Sequence, residues 1–277
     1  MSEFNQNGSD YDSEGLPPSV RRYLYQGKEH FSQIIKLERE RYCLSTHLTE
    51  FIIFSINAPT FQRDFLNSTT PIRGILFTFD PTTSTLIVKM LSHGHHQVAK
   101  AFDQAIEEVL RPMGLHRAIF TYGEVNIDVA GMTKQPDWGW GPRRPPRGHP
   151  KRPTVVLEVA ISETRKKLEQ DMALWLDPSR GNTNIAIAIK ASRARPTVTV
   201  DKYEWDHANG RVQNSQHIEV RESAEGDKVT VSGAPLHIPF DLLFLRSPQS
   251  PRETDLHIGN EELKEFAQWV WDAQFGQ

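Results

Sequence analysis

The 277-residue chain contains a single cysteine, Cys43. One cysteine excludes an intramolecular disulfide and a zinc site built from several cysteines, and it is typical of a reducing compartment. The sequence also lacks any apolar run of the roughly 18–20 residues that a membrane helix needs. Its first residues have neither the basic start nor the apolar stretch of a signal peptide. We therefore expect an intracellular protein, cytoplasmic or nuclear, that is neither secreted nor bound to a membrane.

An overall excess of basic residues is also absent, because the formal net charge is -3. The charge is unevenly distributed: residues 1–16 hold four acids and no base, whereas residues 141–153 hold five bases and no acid. A globally basic protein would indicate nucleic-acid binding directly, while this chain offers a local basic patch. The hydrophobic content of 38% is sufficient for a substantial core.

Composition divides the chain into four segments. Residues 1–16 are polar and acidic and predict a disordered tail. Residues 17–68 are predicted as an N-terminal helical segment with an amphipathic helix that begins near Gly27, although the stretch LTEFIIFSI fits a helix or a strand. Residues 69–246 are predicted as an α/β core, and residues 247–277 as a Pro/Ser/Arg linker followed by a C-terminal helix.

The core segment alternates between strand and helix patterns. The stretch RGILFTFDPTTSTLIVKML predicts a hairpin, and a helix with apolar residues at helical spacing follows it and closes at Pro112 and Gly114. Strand patterns come next, then a helix predicted from Glu163 to Leu176 with Ser162 as its N-cap, a turn at Gly181 and further strands. This order predicts an α/β fold with a central mixed sheet flanked by helices.

Two acids stand out within the strand patterns. Asp137 follows Pro136 directly, and Glu158 lies 21 residues later inside the apolar strand TVVLEVAI. A hairpin can place the two positions side by side, where two carboxylates repel each other unless something positive lies between them. Magnesium, which accepts one or two carboxylates and several waters, is a suitable ion. The alternative is a turn aspartate together with a glutamate on the solvent face of an edge strand.

The order Pro136-Asp137, then Glu158-Val159-Ala160, then a helix resembles the PD-(D/E)XK nuclease superfamily, in particular its restriction-endonuclease-like branch with a migrated lysine. The resemblance covers about residues 70–205. It implies a restriction-endonuclease-like sheet and hydrolysis of nucleic-acid phosphodiesters, in the first place by a DNA endonuclease that uses Mg²⁺ or Mn²⁺. Asp137 and Glu158 match the metal-binding catalytic acids of the superfamily.

The superfamily's lysine position is Ala160 in this chain. The resemblance therefore implies that the catalytic lysine comes from elsewhere. Lys167 or Lys166 on the following helix are the migrated candidates, and Lys190 at the end of the next strand is a third. In the branch, an aspartate precedes the lysine by four residues, whereas here Lys167 precedes Asp171.

The superfamily also has an early acid that joins the metal ligands. We favour Glu107, which lies on the helix before the strands, over three alternatives: Asp80, Glu124 and Asp128. A missing early acid would indicate a catalytically inactive nuclease fold that binds nucleic acid or protein, and this is the alternative function.

The loop WGWGPRRPPRGHPKRP combines aromatic and basic side chains. Arginines contact phosphates and tryptophans stack on bases, which indicates a nucleic-acid-binding surface. Its candidate residues are Trp138, Trp140, Arg143, Arg144, Arg147, Lys151 and Arg152. The position of the loop between the two acids in the sequence favours the functional interpretation over composition alone. A solvated, proline-stiffened loop and a nuclear-import signal are the alternatives.

Two further clusters are interpreted structurally. The histidines in SHGHHQ lack nearby cysteines, so we expect them at the start of a helix with His96 packed against the sheet rather than in a zinc site. Phe266, Trp269 and Trp271 on the C-terminal helix are expected to pack on the body of the protein. The terminal helices are also the candidate surfaces for a homodimer or a protein partner.

Overall fold

The structure is a computed structural model that describes residues 15–16, 20–44, 49–68, 72–160, 164–180, 183–192, 194–223 and 228–275. The chain forms two compact units. The first comprises Met1–Ser92, Asn126–Gln135 and Ser162–Gln170, and the second comprises His93–Val125, Pro136–Ile161 and Asp171–Gln277. Most of the predicted acidic tail, the predicted N-cap Ser162 and the predicted turn at Gly181 lie outside the described residues.

Helices and strands alternate along the chain, as the α/β prediction requires. The helices are α1 (Lys28–Leu44), α2 (Ala58–Phe61, which continues into a π-helical turn at Gln62–Leu66), α3 (His93–Met113), α4 (Arg165–Leu176), α5 (Phe240–Phe244) and α6 (Asn260–Phe275). The strands are β1 (Arg22–Leu24), β2 (Phe51–Ser55), β3 (Ile75–Asp80), β4 (Thr85–Met90), β5 (Ile119–Thr121), β6 (Ile127–Val129), β7 (Met132–Lys134), β8 (Trp138–Pro142), β9 (Val155–Ala160), β10 (Ile185–Ala191), β11 (Thr197–Asp206), β12 (Arg211–Glu222), β13 (Val229–Ser232), β14 (Leu236–Ile238) and β15 (Leu256–Ile258).

The first unit contains a mixed sheet in the order β1-β2-β4-β3-β7-β6. The predicted hairpin is confirmed, since β3 and β4 pair antiparallel with Asp80 opposite Thr85. The Asp80 carboxylate accepts hydrogen bonds from the backbone N–H and the hydroxyl of Thr82, which closes the turn. The ambiguous stretch LTEFIIFSI forms β2, which pairs with β4 along its whole length.

The helical prediction for the N-terminal segment is partly wrong. Helix α1 begins at Lys28, next to the predicted start, but residues 22–24 before it form β1, which runs parallel to β2 with Tyr23 opposite Phe54. The core of this unit is rich in aromatic residues, and Phe61 stacks on Phe79 with ring centroids 3.9 Å apart. Strand β1 exists because this sheet provides an edge for it, which a local pattern does not reveal.

The second unit contains a mixed sheet in the order β13-β12-β11-β10-β9-β8-β5. Strands β9 and β10 are parallel, and the other neighbours are antiparallel. Strand β12 was absent from the sequence predictions. Its sequence, RVQNSQHIEVRE, is mostly polar and only Ile218 and Val220 are buried, so its apolar alternation is too short to be recognised.

One face of this sheet packs on α3 and α6 in a continuous apolar core. Phe102 of α3 contacts Trp140 and Phe266, at 5.9 and 5.4 Å between ring centroids. Phe266 and Trp271 are buried as predicted, whereas Trp269 is 55% exposed. In the part of the chain that the structure describes, no helix combines the length and the apolar character needed to cross a bilayer.

Candidate active site

The hairpin of β8 and β9 places the two predicted acids at adjacent positions. In its antiparallel register Trp138 lies opposite Leu157, so the preceding Asp137 lies opposite Glu158. The Asp137 Oδ2 atom accepts a hydrogen bond of 2.7 Å from the backbone N–H of Val159. The register therefore brings the two backbone positions side by side in the second unit, and the shared site of the two carboxylates stays a prediction.

Glu158 is enclosed, with an exposure of 3%. The alternative of a solvent-facing edge strand is wrong, because β9 lies between β8 and β10 and all six of its residues are buried. The Glu158 Oε1 atom accepts a 2.7 Å hydrogen bond from the indole N–H of Trp175, which is itself fully buried. Such a short bond from a neutral donor to a carboxylate fixes the orientation of the glutamate.

The arrangement suits a shared cation on geometric grounds. Directly opposite residues on antiparallel strands have Cβ atoms about 4.5–5.5 Å apart, so two ionised carboxylates repel unless they share a cation or a proton. Asp137 accepts the backbone N–H of Val159 through Oδ2, and Glu158 accepts the indole N–H of Trp175 through Oε1, so one oxygen of each carboxylate is held in place. Across the described residues, His, Cys, Asp and Glu side chains do not gather in groups of three or more that would hold a metal ion.

Two of the candidate early acids, Glu107 and Asp80, have local partners. Glu107 on α3 accepts a 2.7 Å ion-pair hydrogen bond from Arg111, one helical turn away, and the described residues do not include an acidic trio that contains it. Asp80 belongs to the first unit and closes the β3–β4 turn. The role of Glu107 as a metal ligand stays a prediction.

The parallel pairing of β9 and β10 positions one of the three candidate lysines. Ala188 lies opposite Glu158 and Lys190 lies opposite Ala160. Paired residues of neighbouring strands point to the same face, so Lys190 shares the face of Glu158. Lys190 is partly exposed. A lysine thus stands on the neighbouring strand, beside the alanine at the superfamily's lysine position.

Lys166 and Lys167 belong to the first unit. Lys166 is exposed, whereas Lys167 is buried with its Nζ atom 5.5 Å from the centroid of the Phe51 ring. The backbone N–H of Lys167 donates to the hydroxyl of Thr164, which caps the start of α4. The catalytic roles of both lysines stay predictions.

The two tryptophans of β8 face α3 and bond to it. The indole N–H groups of Trp140 and Trp138 donate to Asp103 Oδ1 at 2.7 and 3.1 Å. Burial raises the pKa of Asp103, although the two indole hydrogen bonds lower it. Trp140 is only 1% exposed and therefore presents no ring face on which a base can stack, which corrects its assignment to the nucleic-acid surface. Trp138 remains partly exposed.

The basic loop lies at the other end of the hairpin from the acids. Strand β8 (Trp138–Pro142) separates Asp137 from Arg143, and the six residue steps between them cover about 20 Å at roughly 3.4 Å per residue. The position of the loop between the two acids in the sequence therefore does not bring it close to them. Its exposed basic side chains are Arg143, Arg144, Arg147 and Lys151, and Arg152 is partly buried. The ammonium group of Lys151 lies 4.1 Å from the centre of the Phe120 ring.

The prediction that His96 is the buried histidine of this cluster is wrong. His95 is 2% exposed and His96 is exposed, although both lie in the first turn of α3 as expected. One residue corresponds to about 100° of rotation around a helix, so a small error in the predicted phase exchanges neighbours.

Trp175 was not identified from the sequence. It follows Glu158 by 17 residues and lies on α4, the helix after the strand that carries this acid. A buried tryptophan needs a partner for its N–H group. A tryptophan on a helix that follows an acid-bearing apolar strand is the signal that could have indicated it.

Comparisons with known proteins give little further information. No family model matches the chain, and no curated protein matches it. Among solved structures, a candidate nuclease that belongs to DUF820, from Anabaena variabilis, aligns with 75% of this chain and 97% of its own, at a TM-score of 0.40 and 16% sequence identity.

Proposed function

We propose that this protein hydrolyses phosphodiester bonds of nucleic acid with the help of a divalent metal ion, and that DNA is its first candidate substrate. One observation carries the proposal: Asp137 and Glu158 lie on facing positions of a buried hairpin, and each is anchored by a 2.7 Å hydrogen bond. Two carboxylates that are held in place on directly opposite strand positions form a preorganised site for a cation.

The two carboxylates would hold Mg²⁺ or Mn²⁺. When bound, such an ion supplies charge stabilisation at phosphate oxygens and lowers the pKa of a coordinated water. The protein keeps the acids in position for this task. The Val159 N–H group orients Asp137, and the indole of Trp175 orients Glu158.

A lysine would stabilise the charge that develops on the phosphate or orient the attacking water. Lys190 is supported by its place opposite Ala160 on the face that carries Glu158. Lys167 and Lys166 remain the candidates that the resemblance implies. Basic residues of the loop would contact backbone phosphates about 20 Å from the acids, a distance equal to roughly six base steps of B-form DNA.

Metal titration tests the proposed site first. We expect Mg²⁺ and Mn²⁺ binding by calorimetry, reduced at least about tenfold in the Asp137→Asn and Glu158→Gln variants. Glu265→Gln, an exposed acid on α6, is the matched control and should bind as the wild type does. Glu107→Gln in the same series decides whether this residue is a ligand.

Cleavage assays test the reaction itself. Single- and double-stranded DNA and RNA are incubated with the protein with Mg²⁺, with Mn²⁺ and with a chelator, and the products are resolved on a denaturing gel. Cleavage that requires metal and is lost in Asp137→Asn supports the proposal. Binding without cleavage under all conditions refutes it and leaves the alternative of an inactive binding module.

A further inference from the structure

The second unit contains a cavity of about 370 Å³ with four arginines in its wall. Its lining consists of Arg117, Ala118, Pro142, Arg143, Arg144, Phe244 and Arg246. Ligand pockets generally measure roughly 300–1,000 Å³, so this cavity has the size of a small-molecule group. No acidic side chain lines it within the described part of the chain.

The backbone brings three of these arginines together. Strand β5 pairs with β8, and the ladder continues where the N–H group of Arg143 donates a 2.8 Å hydrogen bond to the carbonyl of Ala118. Arg117 precedes Ala118 and Arg144 follows Arg143, so the three side chains start from a fixed frame. The positions are far apart in sequence, and the pairing of two strands defines the cluster.

Arg246 is a structural part of the wall. Its guanidinium group makes two hydrogen bonds to the Glu253 carboxylate, at 2.7 and 3.1 Å, and its carbon Cζ lies 4.9 Å from the centroid of the Phe240 ring. The hydrogen bond with Arg246 lowers the pKa of Glu253, which stays ionised and balances the arginine. This pair holds one side of the cavity without adding net charge.

The other three arginines carry charge that is not balanced in this way. Arg117, Arg143 and Arg144 are exposed, and among the described residues none of them forms an ion pair within 4.0 Å. Arg117 and Arg143 also border a second cavity, whose two acids, Asp103 and Glu107, are not among the residues that line the first cavity. The first cavity therefore concentrates about three positive charges.

We propose that this cavity binds the terminal phosphomonoester of a nucleic-acid strand, an inference that rests on the proposed function. A phosphomonoester carries about -1.5 to -2 charges at pH 7 and presents three acceptor oxygens. Planar guanidinium groups bind phosphate oxygens in pairs. A single-charged phosphodiester inside a strand matches three cations less well, and a concave site accepts a chain end more readily than a continuous backbone.

Equilibrium binding tests this site independently of catalysis. Dye-labelled single-stranded 12-mers that end in a 5′-phosphate, a 3′-phosphate or only hydroxyl groups are titrated with the full chain in EDTA, and fluorescence anisotropy is recorded. We expect about tenfold tighter binding of a phosphate-ended strand than of the hydroxyl-ended one. Each of the variants Arg117→Gln, Arg143→Gln and Arg144→Gln should reduce this ratio roughly three- to tenfold.

A matched control distinguishes pocket binding from general attraction. Arg147→Gln removes the same charge from the same loop outside the cavity, so it should weaken all three strands alike and leave the ratio unchanged. Equal affinity for phosphate and hydroxyl ends overturns the inference, as does a ratio that survives in the Arg117→Gln variant.

Inorganic phosphate and a phosphoserine peptide are tested as other possible ligands of the cavity. If millimolar inorganic phosphate displaces a phosphate-ended strand but not the hydroxyl-ended strand, the inference is supported. Tight binding of inorganic phosphate without any preference among the strands overturns it in favour of a free-phosphate site. A phosphoserine peptide that binds more tightly than every strand overturns it in favour of a protein partner. A failure to cleave with Mg²⁺ refutes the proposed function and leaves this measurement unaffected, because EDTA removes the metal.

Discussion

The hydrogen bond between Trp175 and Glu158 offers the sharpest test of how the acids are held. The variant Trp175→Phe keeps an aromatic ring in the same buried position and removes the N–H group that donates to Glu158 Oε1 at 2.7 Å. A hydrogen bond to a charged group contributes about 1.5–3 kcal/mol. The smaller ring adds a void that costs about 1 kcal/mol. We therefore expect a loss of about 2.5–4 kcal/mol in the free energy of unfolding of the second unit.

The same variant should weaken metal binding, because residues that orient metal ligands typically contribute a factor of about 10–100 in affinity or activity. The assay combines denaturant unfolding, followed by circular dichroism, with calorimetric titration of Mg²⁺ at a temperature where the variant is folded. Trp269→Phe is the control: it makes the same chemical change at a tryptophan that is 55% exposed, and its stability should change by no more than about 0.5 kcal/mol.

Two results would refute this reasoning. If Trp175→Phe unfolds as readily as the control, the bond to Glu158 contributes little to the fold. If the variant is destabilised but binds Mg²⁺ as tightly as the wild type, then the indole stabilises the core and does not orient a metal ligand.

Three further predictions concern other parts of the second unit. Lys190→Ala should lower the cleavage rate by about 10²-fold or more with little change in Mg²⁺ affinity, and Lys167→Ala measured beside it decides which lysine serves the reaction. Because burial raises the pKa of Asp103, the wild type loses stability relative to Asp103→Asn as pH rises from the usual carboxyl range through that raised pKa. Denaturant unfolding of both proteins over this range should show a growing advantage of Asp103→Asn, and a pH-independent difference would contradict this. Gly141→Ala should lower the free energy of unfolding by about 1–3 kcal/mol, because the new Cβ atom would lie 2.6 Å from the carbonyl oxygen of Arg152. Thermal unfolding measures this change, and an unchanged melting temperature would show that the hairpin adjusts.

Local sequence patterns predicted the regular parts of the fold well. The β3–β4 hairpin, α3 with its end near Gly114, and α6 follow from apolar spacing and turn residues, which act over a few neighbouring positions. Gly114 has a φ of 75°, a conformation that glycine adopts at helix ends without strain. The polar strand β12 and the short strand β1 escaped prediction because each depends on a partner strand for its existence.

In the candidate site, too, some features could be predicted from local sequence and others depended on the fold. The sequence indicated both acids, since a carboxylate inside an apolar strand requires a compensating partner wherever that strand is buried. It could not decide whether Glu158 faced solvent, and the sheet decided this by placing β9 between two other strands. The sequence order also placed the basic loop between the acids, whereas an extended hairpin keeps its loop a full strand length away.

The amino-acid sequence by itself determined that the protein has an α/β fold with two acids on neighbouring strands and a basic loop between them. Only the tertiary structure decided that Trp175 binds Glu158, that Lys190 lies beside Ala160, and that Arg117 joins two loop arginines around one cavity. The physical reason is the range of the interactions. Propensity and periodicity act between near neighbours, while strand register and side-chain contacts join residues that are distant along the chain.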